Sequence, residues 1–251
     1  MTLKTAPYLE RIGYTGPTEP TAETLRELHR AHLLTVPFEN LDIGLKRKII
    51  CDESRFVQKI VEQRRGGFCY EDNGAFAWLL RELGFRVTLL SARVPCEDGS
   101  LGPEFDHLAL RVDLDEPWLA DVGFGDCFLD PLHLTVGEEQ PQYGSVFRIS
   151  EKGGDLQLER KQVGEERKLQ YAFSLTPRSL GEFAGMCLYH QTSPDSPFTR
   201  KRVCSRATAD GRITLTADRL IITRGGIRDE QPLKSEEAWK AALRQSFGID
   251  L

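Results

Sequence analysis

Apolar residues recur at helical spacing through the first third of the chain. Thr21 is a typical N-cap residue before one such segment, and Phe56 and Ile60 share a face of a second. A third helix is predicted from Cys69, because apolar or small residues repeat on one face as far as position 83 and Gly84 follows as a stop signal. The pattern therefore predicts a helical region over residues 1–85.

After residue 85 the pattern changes to the alternation that is typical of strands. Leu108, Leu110 and Val112 lie on one face of such a segment, and His107 lies on the other. Turn signals such as Gly153-Gly154-Asp155 separate the predicted strands. These strands cover residues 86–94, 107–112, 118–122, 143–149, 156–160 and 168–173.

The last part of the chain mixes both patterns, which predicts an α+β protein. A helix is expected over residues 178–189, and a final helix is expected to carry Trp239, Leu243 and Phe247 on one face. Strands are predicted between these helices, with Asp210-Gly211 as a hairpin turn. Their ranges are 201–206, 213–217 and 219–224.

Composition and charge are those of an ordinary globular protein. The 251 residues are 40% hydrophobic and 28% charged, and the net charge of -5 gives no reason to expect a nucleic acid or a membrane as partner. The N-terminus has no apolar signal region, and no apolar stretch is long enough to span a bilayer. The six cysteines form no C-x-x-C pair, so no metal is expected, and scattered thiols predict a cytoplasmic protein.

Cys69 is the first candidate for chemistry. Gly66 and Gly67 precede it and allow a close approach of the backbone. A cysteine in the first turn of a helix feels the positive end of the dipole, which is expected to lower the pKa of the thiol. A buried structural cysteine is the alternative.

His107 and Asp121 are candidates for a base and an orienting acid. Asp121 interrupts an apolar strand, and an unpaired buried charge is costly, so this carboxylate needs a partner. A hairpin between the two strands would place it beside His107, fix the imidazole tautomer and leave the other ring nitrogen facing a thiol. The alternatives are a half-buried strand histidine and a salt-bridged acid.

Several segments match, in order, the motifs of one enzyme family. They are residues 8–14, 36–41, 65–71 with 73–74, 106–107, 121–125 and 196–198. The chain resembles the arylamine N-acetyltransferase family, whose members move an acetyl group from acetyl-CoA to aromatic amines and hydrazines. It lacks the insert that vertebrate members carry before the last domain, so it resembles the bacterial type.

This resemblance implies a fold and a set of roles. It implies a helical bundle (1–85) carrying the nucleophile, a β-barrel (86–190) carrying the other two triad members, and an α/β lid (191–251). Cys69 is then the nucleophile, His107 the base and Asp121 the orienting acid, as in the Cys-His-Asp core of cysteine proteases. The reaction is expected to be ping-pong through an acetyl-thioester, with acetyl-CoA as co-substrate and an arylamine or hydrazine as acceptor.

The resemblance also suggests residues around the triad. Substrate-binding positions are Phe124, Phe38, Val94, Gly125 and Phe198, for which ordinary core packing is the alternative. Structural support is expected from a charge network of Arg65, Glu39 and Arg11. The chain departs from the family pattern at Asp72, at Asp42 and in the loop 96–103.

Three other functions remain open for a triad of this order. A thiol hydrolase uses the same groups, and related chains close macrolactams as amide synthases with a carrier-bound acyl thioester. A non-catalytic binding module is the alternative from another class, although such a protein needs no nucleophile with an oriented base.

Overall fold

The computed structural model of the protein describes residues 3–251. Helices form the N-terminal part of the described chain, and Cys69 begins the most deeply buried of them. Hydroxyl and carboxylate caps fix where two helices start, since Thr21 accepts from the N–H of Thr24 and Asp52 from the N–H of Arg55. The elements are α1 (Thr5–Arg11), α2 (Ala22–Thr35), β1 (Phe38–Glu39), α3 (Leu41–Gly44), α4 (Glu53–Val61) and α5 (Cys69–Glu82).

Two histidines of α2 lie in the core. His29 and His32 are both completely buried. Each has a polar partner inside the protein: Nδ1 of His29 lies 2.8 Å from the carbonyl oxygen of Leu129, and Nδ1 of His32 lies 3.1 Å from the Tyr8 hydroxyl. These hydrogen bonds offset the cost of removing the imidazole rings from water.

An eight-stranded antiparallel sheet follows and curls into a nearly closed barrel. Its elements are β2 (Arg86–Arg93), β3 (His107–Asp113), β4 (Pro117–Ala120), β5 (Leu132–His133), β6 (Glu139–Gln142), β7 (Ser145–Lys152), β8 (Asp155–Gln162) and β9 (Lys168–Phe173). The strand order is β5-β4-β3-β2-β9-β8-β7-β6. Side chains bridge its two edges: the amides of Gln140 and Gln142 each form two hydrogen bonds with the backbone of His133 and Asp130.

A second sheet and the remaining helices form the lid. Residues Leu180–Phe183 make a 3₁₀ turn that leads into α6 (Ala184–Thr192), so the predicted boundary at residue 190 falls inside a helix. The lid sheet has the order β1-β10-β11-β12-β13, and its first strand therefore comes from the helical part. The other elements are α7 (Pro197–Arg200), β10 (Cys204–Thr208), β11 (Gly211–Leu215), β12 (Arg219–Arg224), β13 (Ile227–Pro232) and α8 (Glu236–Phe247).

Candidate active site

Cys69 is the first residue of α5 and is held between two glycine-containing segments. A Cβ atom on Gly66 would lie 1.7 Å from the carbonyl oxygen of Pro37, and one on Gly123 would lie 2.8 Å from the Cα of Cys69. Only glycine permits these approaches. The carboxylate of Glu71 accepts the N–H of Phe68 at 3.2 Å and so caps the helix beside the thiol.

Cys69 is only 3% exposed. Burial raises its pKa well above the ordinary value, and the nearby carboxylates of Asp106 and Asp121 add to this, while hydrogen bonds from the backbone of Leu108 and Tyr70 act against it. The helix dipole contributes only about 0.3–1 kcal/mol. The expectation that the helix start lowers the pKa of the thiol is therefore wrong, because desolvation outweighs the dipole.

His107 and Asp121 meet at the point where their strands place them. His107 begins β3 and Asp121 follows β4, its antiparallel neighbour. The Nε2 atom of His107 lies 2.7 Å from Oδ2 of Asp121, which leaves Nδ1 for a second partner. Cys69 belongs to the same cluster, since its sulfur interacts with the backbone of Leu108 and its Cα packs against Gly123.

Asp121 is an almost fully buried carboxylate with three hydrogen-bond donors. Besides His107, Asn73 Nδ2 donates to Oδ1 at 2.8 Å and the N–H of Gly123 donates to it at 3.0 Å. Burial alone raises the pKa of Asp121, but its interactions with His107, Asn73 and Gly123 together outweigh burial and lower the pKa. The group is thus ionised at neutral pH.

His29 fixes the backbone of Asp121 from the other side. Its Nδ1 faces a carbonyl oxygen, so it carries the proton, and its Nε2 accepts the N–H of Asp121 at 3.0 Å. Burial lowers the pKa of His29, which keeps this ring neutral and able to accept. Sequence reasoning missed His29, because its spacing on α2 gave no sign of a partner near residue 121.

A buried charge cluster lies beneath the start of α5. Arg65 Nη2 is 2.6 Å from Glu39 Oε1, and Lys59 Nζ is 2.8 Å from carboxylate oxygens of both Asp42 and Glu71. Burial raises the pKa of Glu71 to about 7, although Lys59 opposes the shift. Two cations hold three carboxylates here, and all five residues are at most 8% exposed.

Arg11 lies outside this cluster. Its guanidinium donates to backbone carbonyl oxygens, among them those of Ile60 and Thr35 at 2.9 and 3.3 Å. Burial and the neighbouring Arg64 lower its pKa to about 10. Arg11 therefore ties three helical segments together through neutral acceptors, whereas Lys59 and Asp42 occupy places in the network that the sequence did not indicate.

The predicted substrate-binding residues fall into two groups. Phe124 stands edge-on to His107, with ring centroids 5.1 Å apart, and shares its apolar surroundings with Val94 in the barrel. Phe38 and Phe198 form the second group at a centroid distance of 6.2 Å, and Gly125 packs against the ring of Phe38.

Tyr171 is a further residue beside the triad that the sequence did not reveal. Its ring lies 5.1 Å from His107 and 5.2 Å from Phe124, and it is completely buried. Within the described residues its hydroxyl has no hydrogen-bond partner.

Two further observations concern ligands and membranes. Across residues 3–251, no group of three or more His, Cys, Asp and Glu side chains is placed to hold a metal ion. In the same part of the chain, no helix combines the length and the apolar character needed to cross a bilayer.

Comparison with known proteins agrees with this geometry. A family model described as N-acetyltransferase matches residues 21–251. The pineal gland arylamine N-acetyltransferase isozyme NAT-3 of Gallus gallus is 36% identical, with 97% of this chain and 93% of the relative covered. The arylamine N-acetyltransferase of Mycolicibacterium smegmatis is 35% identical, covering 97% and 91%. The alignment with the chicken isozyme runs over 270 residues and that with the bacterial enzyme over 253, which fits a chain of bacterial type.

Solved structures give the same result. The arylamine N-acetyltransferase from Salmonella typhimurium superposes with a TM-score of 0.93 at 33% identity, covering 99% of this chain and 92% of that one. The Mycobacterium marinum arylamine N-acetyltransferase in complex with CoA has a TM-score of 0.91 at 32% identity, covering 98% and 93%. With a family model that matches all but the first twenty residues and relatives above 30% identity over nearly the whole length, the chain belongs to the arylamine N-acetyltransferase family.

Proposed function

We propose that this chain transfers an acetyl group from acetyl-CoA to an arylamine or arylhydrazine through a thioester on Cys69. The observation that supports this most strongly is the buried His107–Asp121 pair, packed against the helix start that carries the thiol of Cys69. A nucleophile, a base and an orienting acid are the three groups that acyl transfer of this kind needs.

In the first half-reaction, His107 accepts the thiol proton of Cys69. This transfer leaves the net charge of the buried site unchanged, so the cost of burying a thiolate is offset by the imidazolium that Asp121 stabilises. The sulfur then attacks the carbonyl carbon of acetyl-CoA. Backbone N–H groups near the start of α5 are the proposed donors to the oxyanion, and the coenzyme thiolate leaves with the proton from His107.

In the second half-reaction, the acceptor amine attacks the acetyl-thioester. His107 takes the proton of the attacking nitrogen, the C–S bond breaks, and the proton returns to the sulfur of Cys69. We propose that Phe124 and Val94 contact the acceptor ring from the barrel side and that Phe38, Gly125 and Phe198 contact it from the lid side. Exposures of 1–3% for the triad favour a small aromatic acceptor over the bulky chain of a macrolactam precursor.

We infer a cytoplasmic location and small-molecule partners. All six cysteines are free thiols, as expected for a reducing compartment. The net charge of -5 offers no electrostatic attraction for a nucleic acid or an anionic membrane.

Intact-protein mass spectrometry tests the proposal directly. Mixing the protein with acetyl-CoA should add one acetyl group to it, and p-anisidine should then remove that group as N-acetylanisidine. The Cys69→Ser variant should not be acetylated, and the His107→Ala variant should be acetylated much more slowly. An acetyl group on another residue contradicts the assigned nucleophile. Loss of the acetyl group to water without N-acetylanisidine indicates a thiol hydrolase, and acylation only by a carrier-bound thioester indicates an amide synthase.

A further inference from the structure

Two arginines from different sheets flank Asp126, directly after the segment that packs on Cys69. Arg160 belongs to β8 of the barrel and Arg212 to β11 of the lid sheet. Arg160 Nη1 lies 3.6 Å and Arg212 Nε lies 3.4 Å from the same oxygen, Oδ1 of Asp126. Two guanidinium groups thus share one carboxylate, and the three residues carry one net positive charge.

The arginines are held firmly, whereas the carboxylate is not. Each arginine side chain is 17% exposed, but that of Asp126 is 63% exposed. Arg160 Nε donates to Ser145 Oγ at 2.9 Å, and Arg212 Nη1 donates to Ser205 Oγ at 3.0 Å. The distances to Asp126 Oδ1 exceed the 2.7–2.9 Å or so of strong charge-assisted hydrogen bonds, so this carboxylate is a loose and replaceable partner.

The positive charge of the two arginines is only partly compensated by Asp126. Within residues 3–251, the Arg212 side chain makes one hydrogen bond of good geometry, to Ser205, while Nε faces Asp126 Oδ1 at 3.4 Å and Nη2 makes none. Burial lowers the pKa of Arg212 and the neighbouring Arg160 lowers it further, while Asp126 only partly compensates. A bound oxyanion would relieve both effects.

The arginine pair is also close to the proposed reaction centre. Asp126 follows Gly123 by three residues, so their Cα atoms are at most about 11 Å apart, and Gly123 touches Cys69. Ser205, which holds Arg212, pairs in register with Phe38 of β1. Gly125 packs on that same phenylalanine. The two guanidinium groups therefore lie on barrel and lid elements that adjoin the segments around Cys69.

We propose that Arg160 and Arg212 form an anion-binding subsite in which an oxyanion of a substrate displaces the carboxylate of Asp126. The inference rests on the proposed function. A phosphate group of coenzyme A and the carboxylate of an acidic arylamine present the same chemistry, oxygen atoms that accept paired N–H donors from a guanidinium fork.

Steady-state kinetics with matched charged and uncharged substrates separates these sources. The variants are Arg160→Gln, Arg212→Gln and Asp126→Asn, with Arg219→Gln as the control because Arg219 is exposed at the start of β12 and pairs with Asp218 and Glu230. Donors are acetyl-CoA and uncharged p-nitrophenyl acetate, and acceptors are p-aminobenzoate and uncharged p-anisidine. Loss of one charge-assisted contact should raise KM for the anionic substrate about tenfold, and Asp126→Asn should lower it severalfold.

The KM values show which anionic group the two arginines bind. A raised KM for acetyl-CoA alone assigns a phosphate, and a raised KM for p-aminobenzoate alone assigns an acceptor carboxylate. The proposal is overturned if both KM values stay within twofold of the parent protein in both arginine variants, or if Asp126→Asn shifts them in the same direction as the arginine variants. Calorimetric binding of coenzyme A and of p-aminobenzoate to the same variants gives the answer without turnover, so failure of the proposed reaction is seen separately.

Discussion

Asp72 is a buried carboxyl group, and replacing it with asparagine should stabilise the protein increasingly as pH rises. Its side chain is completely buried on α5, and within the described residues neither carboxyl oxygen has a hydrogen-bond partner. Burial raises its pKa well above the ordinary value, and the charges of Glu71 and Glu39 add to the shift. The backbone N–H of Gly67 acts to lower the pKa of Asp72, but it is not placed to donate a hydrogen bond to either carboxyl oxygen.

The sign follows from proton linkage. In the unfolded chain an Asp loses its proton near pH 3.9, whereas Asp72 retains it in the native state to higher pH. Between these values the native state binds one more proton, so stability falls by about 1.4 kcal/mol for each pH unit gained. Asp72→Asn removes the titrating group, so we expect its stability relative to the parent protein to grow by up to about 1.4 kcal/mol for each pH unit in this range.

Urea unfolding of both proteins between pH 4.5 and 7.5 measures this quantity. The difference between variant and parent is the proper readout, because His29 and His32 impose the opposite slope. Burial lowers the pKa of both rings, so they stabilise the fold fully above the unfolded pKa of about 6.5 and less as pH falls. Their contribution is common to both proteins and cancels in the difference.

Asp115→Asn is the matched control, since Asp115 is exposed and its change should be neutral at every pH. The reasoning is refuted if Asp72→Asn is destabilising throughout, or if its gain is the same at pH 4.5 and pH 7.5. A gain that grows with pH while the urea m-value stays constant would tie the effect to this one carboxyl group.

Two further substitutions test the surroundings of the triad. Lys59→Met should cost about 3–5 kcal/mol at pH 8 and less at pH 6, because the raised pKa of Glu71, about 7, lets that carboxyl take up a proton when its cation is gone. Urea unfolding at both pH values with exposed Lys240→Met as control measures this, and a loss independent of pH contradicts it. His29→Leu should slow acetylation of Cys69 and cost about 1–3 kcal/mol, because the N–H of Asp121 loses its acceptor. His29→Gln, whose amide can donate and accept, should restore most of the rate of Cys69 acetylation. If it restores none, His29 does not position Asp121.

The elements with strong periodicity were predictable from the sequence. Helix α5 begins at Cys69 as expected and ends at Glu82, and Gly84 has the left-handed φ of +91° that its place as a stop signal requires. The predicted hairpin between β10 and β11 forms, but Thr208 pairs with Gly211, so the turn residues are Ala209 and Asp210, one position before the predicted Asp210-Gly211. In these places the local pattern and the tertiary fold favour the same conformation.

Elements whose pattern carries no apolar alternation were missed. Strand β6 has the sequence EQPQ, and every residue of β13 is exposed, so neither has the alternation that marks a strand. Strand β1 has only two residues and is defined by its partner β10, which lies more than 160 residues later. Pairing across such distances leaves no local signal.

The buried polar partners were missed for a related reason. Lys59 occupies a position on α4 that looks like a solvated face, yet it is 6% exposed because Asp42 and Glu71 close over its ammonium group. The three groups come from three helices, so their encounter depends on how the bundle packs. A sequence pattern gives which residues are charged, but the packing decides which of them are buried together.

Asp72 and Asp121 show what governs ionisation around helix α5. Both are buried to 1% exposure or less, so burial alone predicts the same raised pKa for both. Asp121 has three donors and a lowered pKa, whereas Asp72 has no hydrogen bond among the described residues and a raised one. Asn73 decides part of this contrast, since a rotation of about 100° between neighbouring helix residues turns its amide toward Asp121 and away from Asp72. The negative charge beside His107 is thus set by the placement of donors on α5 and on the 121–123 segment, and the same helix carries a carboxyl group with a raised pKa one residue before the donor.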